Sequence, residues 1–399
     1  MNRFLRTTVG FLTSLRLTVA LLILSILLVF AATLDQVHLG VWGVQAKYFH
    51  SFVVMTKVPG TAVQLPVFPG GYLLGLLLLA NLIAAHTCRF RFTWRKSGIW
   101  LTHLGLIVLL AGEGLSGLLQ HDNQMRIDVG QTRRYTESVR ETELAVVDVT
   151  DPSYDQVVAV PVSLLQARGA IQHPKLPFTL KPVAYLANSS LVPLAQAPNP
   201  PAAATLGFGT LEAALPAPLT YKEDEGNWPS AYVELAGPEG AIGTFLVSTM
   251  LVEPQEFSYG NRTWRISLRA ARDYLPFAIT LLKFTHQLYP GSDIPKDFAS
   301  TIRLKSDDGA DDRQVRIFMN NPLRYGGRAF YQAGYANNDH TAVLQVVSNP
   351  GWRLPYLACG LMALGLAVQF GIHLAGFLRR RVSVPAGARP VSAPVAALP

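Results

Sequence analysis

The sequence predicts a membrane α-helical protein with four transmembrane helices and a large extracytoplasmic all-β domain, sandwich-like or open-barrel-like. Three observations predict it. Half of the 399 residues are hydrophobic, which leans toward the membrane class. Four segments, 17–34, 70–87, 98–119 and 354–378, are apolar over roughly the 20 residues that a bilayer core requires. Between the third and the fourth, short alternating runs bounded by Gly, Pro, Asp and Asn read as strands.

The N-terminal membrane part, 1–119, holds three of the spans. The first has Arg16 before it and Ala31 and Ala32 near its end, as a signal peptide would. Its apolar run is longer than the roughly 7–15 residues of a signal h-region, so it reads as an uncleaved helix. The second and third spans are joined by a short basic loop and so form a hairpin. Orientation follows from lysine and arginine placement. Arg3, Arg6 and Arg16 precede the first span, Arg89, Arg91, Arg95 and Lys96 fill the hairpin loop, and Arg379, Arg380, Arg381 and Arg389 follow the last. These flanks contain no acidic residue, and their 11 cations exceed the net charge of +8, leaving about −3 for the rest. The basic balance is therefore a topology signal that places both termini in the cytoplasm. No basic helix with interleaved aromatics points to nucleic acid.

The exported domain spans 120–353. Candidate strands are 125–129, 143–149, 156–162 and 178–184, then 231–235, 243–247, 263–270 and 277–284, and finally 300–305, 314–318, 329–333 and 342–347. An Ala/Pro-dense stretch at 190–218 reads as a long loop dividing this domain into two lobes. The last span, 354–378, leads to the cytoplasmic segment 379–399, whose Ala/Pro/Val-rich part from Val382 onward is expected to be disordered. The cysteines, Cys88 and Cys359, fall at or inside spans. No disulfide framework and no CxxC pair exists, so thiol exchange by this chain is excluded.

Within the spans, His86, His103 and His373 stand out, because an ionisable ring in hydrocarbon is costly and marks a functional site by default. Each lies near a basic cluster, which puts all three toward one membrane face. His103 sits about five residues into its span, roughly 8 Å deep at the α-helical rise. Neutral imidazole can ligate haem iron through one ring nitrogen. The plainer reading, a ring reaching for headgroups or a backbone carbonyl, suits His86 beside Arg89 and fits His373 equally well. His103, among Leu101, Leu104, Leu106 and Ile107, favours the functional reading. Glu113, between Gly112 and Gly114, is either a near-interface carboxylate or part of a close helix contact. The motifs GxxxxGK[ST], HExxH, GxSxG and CxxCH are absent. His38, His50, His121, His173, His286 and His340 are scattered without ligand spacing.

Several motifs together resemble the ResB/CcsB family of cytochrome c biogenesis proteins. They include Leu65-Pro66-Val67-Phe68-Pro69-Gly70-Gly71-Tyr72, Asn81-Leu82, Arg89-Phe90, Trp100-Leu101-Thr102-His103-Leu104-Gly105-Leu106-Ile107 with Gly112, and Met125-Arg126-Ile127-Asp128-Val129-Gly130. The end of the exported domain carries more: Tyr289-Pro290-Gly291, Pro295-Lys296-Asp297-Phe298-Ala299-Ser300 and Met319-Asn320-Asn321-Pro322-Leu323. Tyr325-Gly326-Gly327, Phe330-Tyr331-Gln332, Tyr335 and Asn349-Pro350-Gly351 complete it. The resemblance covers both ends of the chain; residues 140–270 are generic.

The resemblance implies a subunit of a System II complex in the bacterial inner membrane. Such a subunit pairs with a ResC/CcsA-type partner, carries haem b outward as its substrate and presents it to apocytochrome c. It further implies that His103 is a haem-iron ligand, with the second ligand offered by the partner; His86 and His373 remain secondary. Two departures stand against the pattern. No tryptophan-rich WGxxWxWD-like run is present, so the chain is not expected to be catalytic alone, and Glu113 occupies a place where a small residue is expected. The rival expectations are a scaffold that never touches haem and a transporter using Glu113 and the histidines as a proton relay, which four spans without an inverted repeat disfavour.

Overall fold

The computed structural model describes residues 3–58, 61, 63–220, 226–291, 295–337 and 339–382; most of the expected disordered tail lies outside them. The chain divides into two compact units. A helical unit comprises Met1–Asp35, Val44–Leu119 and Pro350–Pro399, and a β unit comprises Gln36–Gly43 and Gln120–Asn349.

The helices are α1 (Arg3–Leu12), α2 (Leu15–Val44), α3 (Gly71–Ala84), α4 (Ser97–Leu119), a short α5 (Val162–Ala167) in the β unit, and α6 (Leu354–Val382). Four helical stretches are long and apolar enough to cross a membrane: Leu15–Phe49, Gly71–Arg89, Trp94–Leu119 and Leu354–Arg379. The first outruns the expected 17–34: it is helical up to Gly40, kinks there at a φ of 62° that favours glycine, and resumes beyond it. Beyond residue 34 the chain stays helical to Phe49 and then forms a hairpin of β1 (Val53–Lys57) and β2 (Gln64–Pro69).

Two contacts organise this unit. Asn81 of α3 is 2% exposed, and its amide donates to Leu12 O at 2.5 Å while Thr18 Oγ1 donates to its carbonyl at 2.7 Å. One buried side chain thus satisfies a carbonyl freed where α1 gives way to α2. The second contact is a stripe of glycines at heptad spacing, Gly98, Gly105 and Gly112, all buried against α6. A Cβ on Gly98 would lie 2.5 Å from Gly365 O, and one on Gly105 would lie 2.8 Å from Ala358 O. Only glycine lets the two backbones approach so closely, which is how apolar helices associate where lipid removes the hydrophobic drive.

The described strands of the β unit begin with β3 (His121–Asp128), β4 (Thr132–Asp148), β5 (Gln156–Pro161), β6 (Thr179–Leu186), β7 (Ser189–Pro193) and β8 (Glu212–Pro216). They continue with β9 (Ser230–Gly237), β10 (Gly240–Ser248), β11 (Gln255–Tyr259), β12 (Arg262–Leu288), β13 (Pro295–Ser306) and β14 (Asp312–Phe318). The last are β15 (Leu323–Tyr325), β16 (Arg328–Ala336) and β17 (Thr341–Ser348). A ten-stranded antiparallel sheet runs β14-β13-β12-β4-β3-β17-β16-β15, with β5 and β11 on its flanks, and Phe318 and Asn321 bridge its ends into a nearly closed barrel.

Two cores result. One gathers Trp264, Phe178, Phe245 and Leu235 beside the small β10-β9-β6 sheet; the other fills the barrel with Phe277, Phe330, Ile302 and Met125. Residues 190–218 do not divide the lobes, as the sequence suggested. Most of β7 and β8 fall inside that stretch and pair with each other, and it is β4 and β12 that pass from one core to the other. Likewise, 263–270 and 277–284 are halves of one bent strand. Pro276 looks like a strand breaker, but it sits where the β4 register skips from Tyr274 to Ile279, so its missing N–H leaves no ladder bond unmade. At the adjoining bulge, buried Glu143 accepts from Arg269 Nη2 at 2.9 Å and from the Arg272 backbone N–H at 3.3 Å, tying the bend to β4.

Two outcomes test these contacts. Gly105→Ala should lower the melting temperature of the detergent-purified chain, because α4 must move off Ala358 and Met362. Gly114→Ala, with nothing within 4 Å of the added Cβ, should leave it unchanged or raise it, through a helix-propensity gain of up to about 1 kcal/mol. In the β unit, hydrogen bonds from Thr150 and then the Arg262 guanidinium hold the Asp148 carboxyl below the usual carboxylate range. A depressed native pKa gives stability that is present above the unfolded value near 3.8 and lost as pH falls through the native one. Asp148→Asn should therefore cost about 1.5–3 kcal/mol in denaturant titrations at pH 7. The penalty should shrink toward zero below pH 3.8.

Candidate functional site

The two histidines of the α3/α4 hairpin come together at its closed end. The glycine stripe turns one face of α4 to α6. At about 100° per residue, His103 then lies roughly 140° around the helix from Gly98 and faces away from α6. His86 sits in the wide π turn Ala85–Arg89 that ends α3, closed by Phe90 N–H donating to Ala85 O at 3.0 Å. Such turns re-aim side chains out of α-helical register and recur at functional sites. The ring centroids of His86 and His103 are 5.5 Å apart.

Aromatic rings wall this pair. Phe90 stacks on His86 at 5.4 Å with planes 6° apart, Trp100 lies 5.0 Å from His86, and Phe90 lies 6.2 Å from His103. Lys96 Nζ is 5.6 Å from the Phe90 ring. In the sequence, Phe90 and Trp100 figure only as motif residues and have no part in the site. Trp100 is three residues before His103 on α4 and so shares a helical face with it, whereas Phe90 reaches His86 from the extended residue that follows the π turn.

The hydrogen bonding of the two imidazoles is unequal. His103 Nδ1 is 2.8 Å from Ile99 O. A carbonyl can only accept, so Nδ1 carries a proton toward it and Nε2 is the nitrogen turned away from the backbone. His86 Nε2 is buried with no hydrogen-bond partner. An orphaned buried nitrogen is uncommon in native proteins and points to a ligand. His373 is placed differently. It is exposed on α6, its Nε2 lies 2.9 Å from Gln369 Nε2 one turn earlier, and among the described residues no ring contact joins it to His86 or His103. Glu113 is exposed on α4.

This arrangement offers imidazole nitrogens among flat aromatic rings. Among the described residues, no group of three or more His, Cys, Asp or Glu is gathered as a cage for a bare cation. The set suits instead a metal already held by a planar apolar macrocycle and needing only an axial nitrogen, so the residues present fit a haem.

Residues 240–343, which lie in the β unit, match the ResB-like family. Over 92 residues the chain is 36% identical to Protein NrfI of Wolinella succinogenes, a match covering 23% of this chain and 10% of that relative. The chain thus aligns with about a tenth of the relative's length.

The orphaned nitrogen yields a stability test. His86→Phe removes a desolvated, unpaired atom and keeps the ring packing, so the ligand-free chain should melt at the same temperature or higher, by up to about 1–3 kcal/mol. The same variant should bind hemin more weakly in a Soret titration.

Proposed function

This chain, through its segment 240–343, belongs to the ResB-like family, and on that premise we propose that it is a membrane subunit of a cytochrome c biogenesis complex that carries haem outward and presents it to apocytochrome c. The observation that carries the reading is the imidazole pair. The His103 tautomer is set by Ile99 O, and the lone pair of His86 Nε2 is unmatched beside it.

His103 is the axial ligand at the cytoplasmic end of the α3/α4 hairpin. Its Nδ1–H bond to the backbone fixes ring orientation and raises the basicity of Nε2, as second-shell bonds do at other metal-ligating histidines. Trp100 and Phe90 would offer the macrocycle flat apolar contact. Cations of the hairpin loop stand where its carboxylates would emerge; Arg91, Arg95 and Lys96 are exposed. A ResC/CcsA-type partner supplies the opposite ligand and the rest of the path across the bacterial inner membrane, with both termini of this chain in the cytoplasm. The β unit then positions haem against the apocytochrome. Haem supplies the vinyl groups and the apocytochrome supplies the thiols that add to them, so no side chain of this protein serves as nucleophile.

The test is the complex purified with its partner. His103→Ala should lower bound haem by about tenfold or more, the scale of loss for disabled metal sites, with cytochrome c maturation falling in parallel. His373→Ala should leave both at the wild-type level. Full haem content and maturation in His103→Ala would instead make the chain a scaffold.

A further inference from the structure

The β unit carries a polar cleft of about 490 Å³ where one of its long ladders breaks. β3 pairs with β4 only at Asn123↔Ser138 and Gln124↔Glu137, and the β4 register on β12 jumps from Thr142↔Ala270 to Glu137↔Arg272. Val139, Arg140 and Glu141 therefore pair with neither neighbour and form a bulge at the rim of the cleft. Ser138 Oγ holds this bulge in shape by accepting from the Arg140 and Glu141 backbone N–H groups at 3.3 and 3.0 Å.

The charges of the cleft are balanced but unequally committed. Arg140, Arg272 and Arg328 line it together with Asp122, Glu141 and Asp273, three of each sign. Arg328 is held by Asp273 at 2.6 Å and Arg272 by Glu137 at 3.2 Å. Among the described residues, the side chains of Arg140 and Glu141 have neither an ion pair nor a hydrogen bond. The Arg140 guanidinium lies over the Trp42 ring, 3.5 Å from its centroid, which fixes the cation without neutralising it. Asp122 accepts only from the Gln120 amide. A lone anion in the cleft would meet Glu141 and Asp122, a lone cation would meet Arg140, and an apolar ligand would strip water from all three. A ligand carrying both signs satisfies them. The arginine fork matches phosphate, and carboxylates match the three N–H donors of a primary ammonium. A quaternary ammonium would need an open aromatic face, and Arg140 already covers Trp42.

A membrane span in α4 puts this cleft at the membrane surface by chain connection alone. His121 in its wall follows the last residue of α4 by two positions, at most about 7 Å of chain. It pairs with Ser348, six positions before α6. Polar headgroups occupy roughly 5–8 Å beyond each face of the hydrocarbon core. We propose that the cleft binds the zwitterionic phosphoethanolamine headgroup of a membrane phospholipid, with phosphate on Arg140 and ammonium on Glu141 and Asp122. This rests on α4 crossing the membrane and is independent of haem on the helices.

The experiment uses the full chain in detergent, titrated with dioleoyl phosphatidylethanolamine, phosphatidylcholine or phosphatidylglycerol while native mass spectrometry counts bound lipid. The ethanolamine lipid should bind about tenfold or more tightly than the other two, the scale of one charge-assisted contact. Arg140→Ala and Glu141→Gln should each remove that preference, whereas Arg126→Ala, exposed on β3 outside the cleft, should keep it. Arg140 and Glu141 are exposed, so both variants should melt with the unsubstituted chain, which separates a lost ligand from a lost fold. Equal binding of the three lipids, or a preference that survives both cleft substitutions, would overturn the proposal. Binding of free O-phosphoethanolamine as tight as that of the lipid would overturn it as well, by making the ligand a solute. Hemin binding read from the Soret band should be the same in Arg140→Ala and Glu141→Gln, so failure here leaves the haem reading where it stands.

Discussion

The close approach of α4 to α6 through Gly98, Gly105 and Gly112 is the constraint on which the helical unit depends. Helices long and apolar enough to cross a membrane would gain little in lipid by hiding side chains, and this contact is instead one of backbone against backbone. Once the glycine stripe is committed to α6, the rotation of α4 about its axis is set, and Trp100 and His103 fall on the face toward the end of α3. The Asn81 amide does the corresponding work on α3 by anchoring it to the α1–α2 junction at Leu12 and Thr18. The histidine pair is thus a consequence of two contacts remote from it.

The β unit solves a different problem. Two hydrophobic cores must be joined without an exposed linker, and the long strands β4 and β12 do so by carrying their ladders from one core into the other. Bulges and the buried Glu143–Arg269 pair mark the change of direction. The family match at 240–343 falls in this unit, whereas the imidazole ligands proposed for haem lie on the helices. Recognition of the family and reading of its chemistry therefore come from separate parts of the chain.

Much of this was legible without coordinates. Apolar length alone marked all four candidate spans, and alternation located most strands of the β unit. Errors arose where a local signal met a tertiary answer. The first helix runs past the expected 17–34 through a kink at Gly40, the strands expected at 263–270 and 277–284 are one bent strand, and the Ala/Pro-rich 190–218 stretch contains most of a hairpin.

What the sequence determined by itself is what depends on one residue and its immediate neighbours: which segments are apolar enough to span, which strands alternate, and which rings are costly in hydrocarbon. The tertiary structure alone decided which of those rings meet. It brought His86 beside His103 and left His373 exposed on α6 beside Gln369 of its own helix. The reason is geometric. A helix presents its side chains around a full turn, and only the glycine and asparagine contacts between helices select the face each one shows to its neighbour.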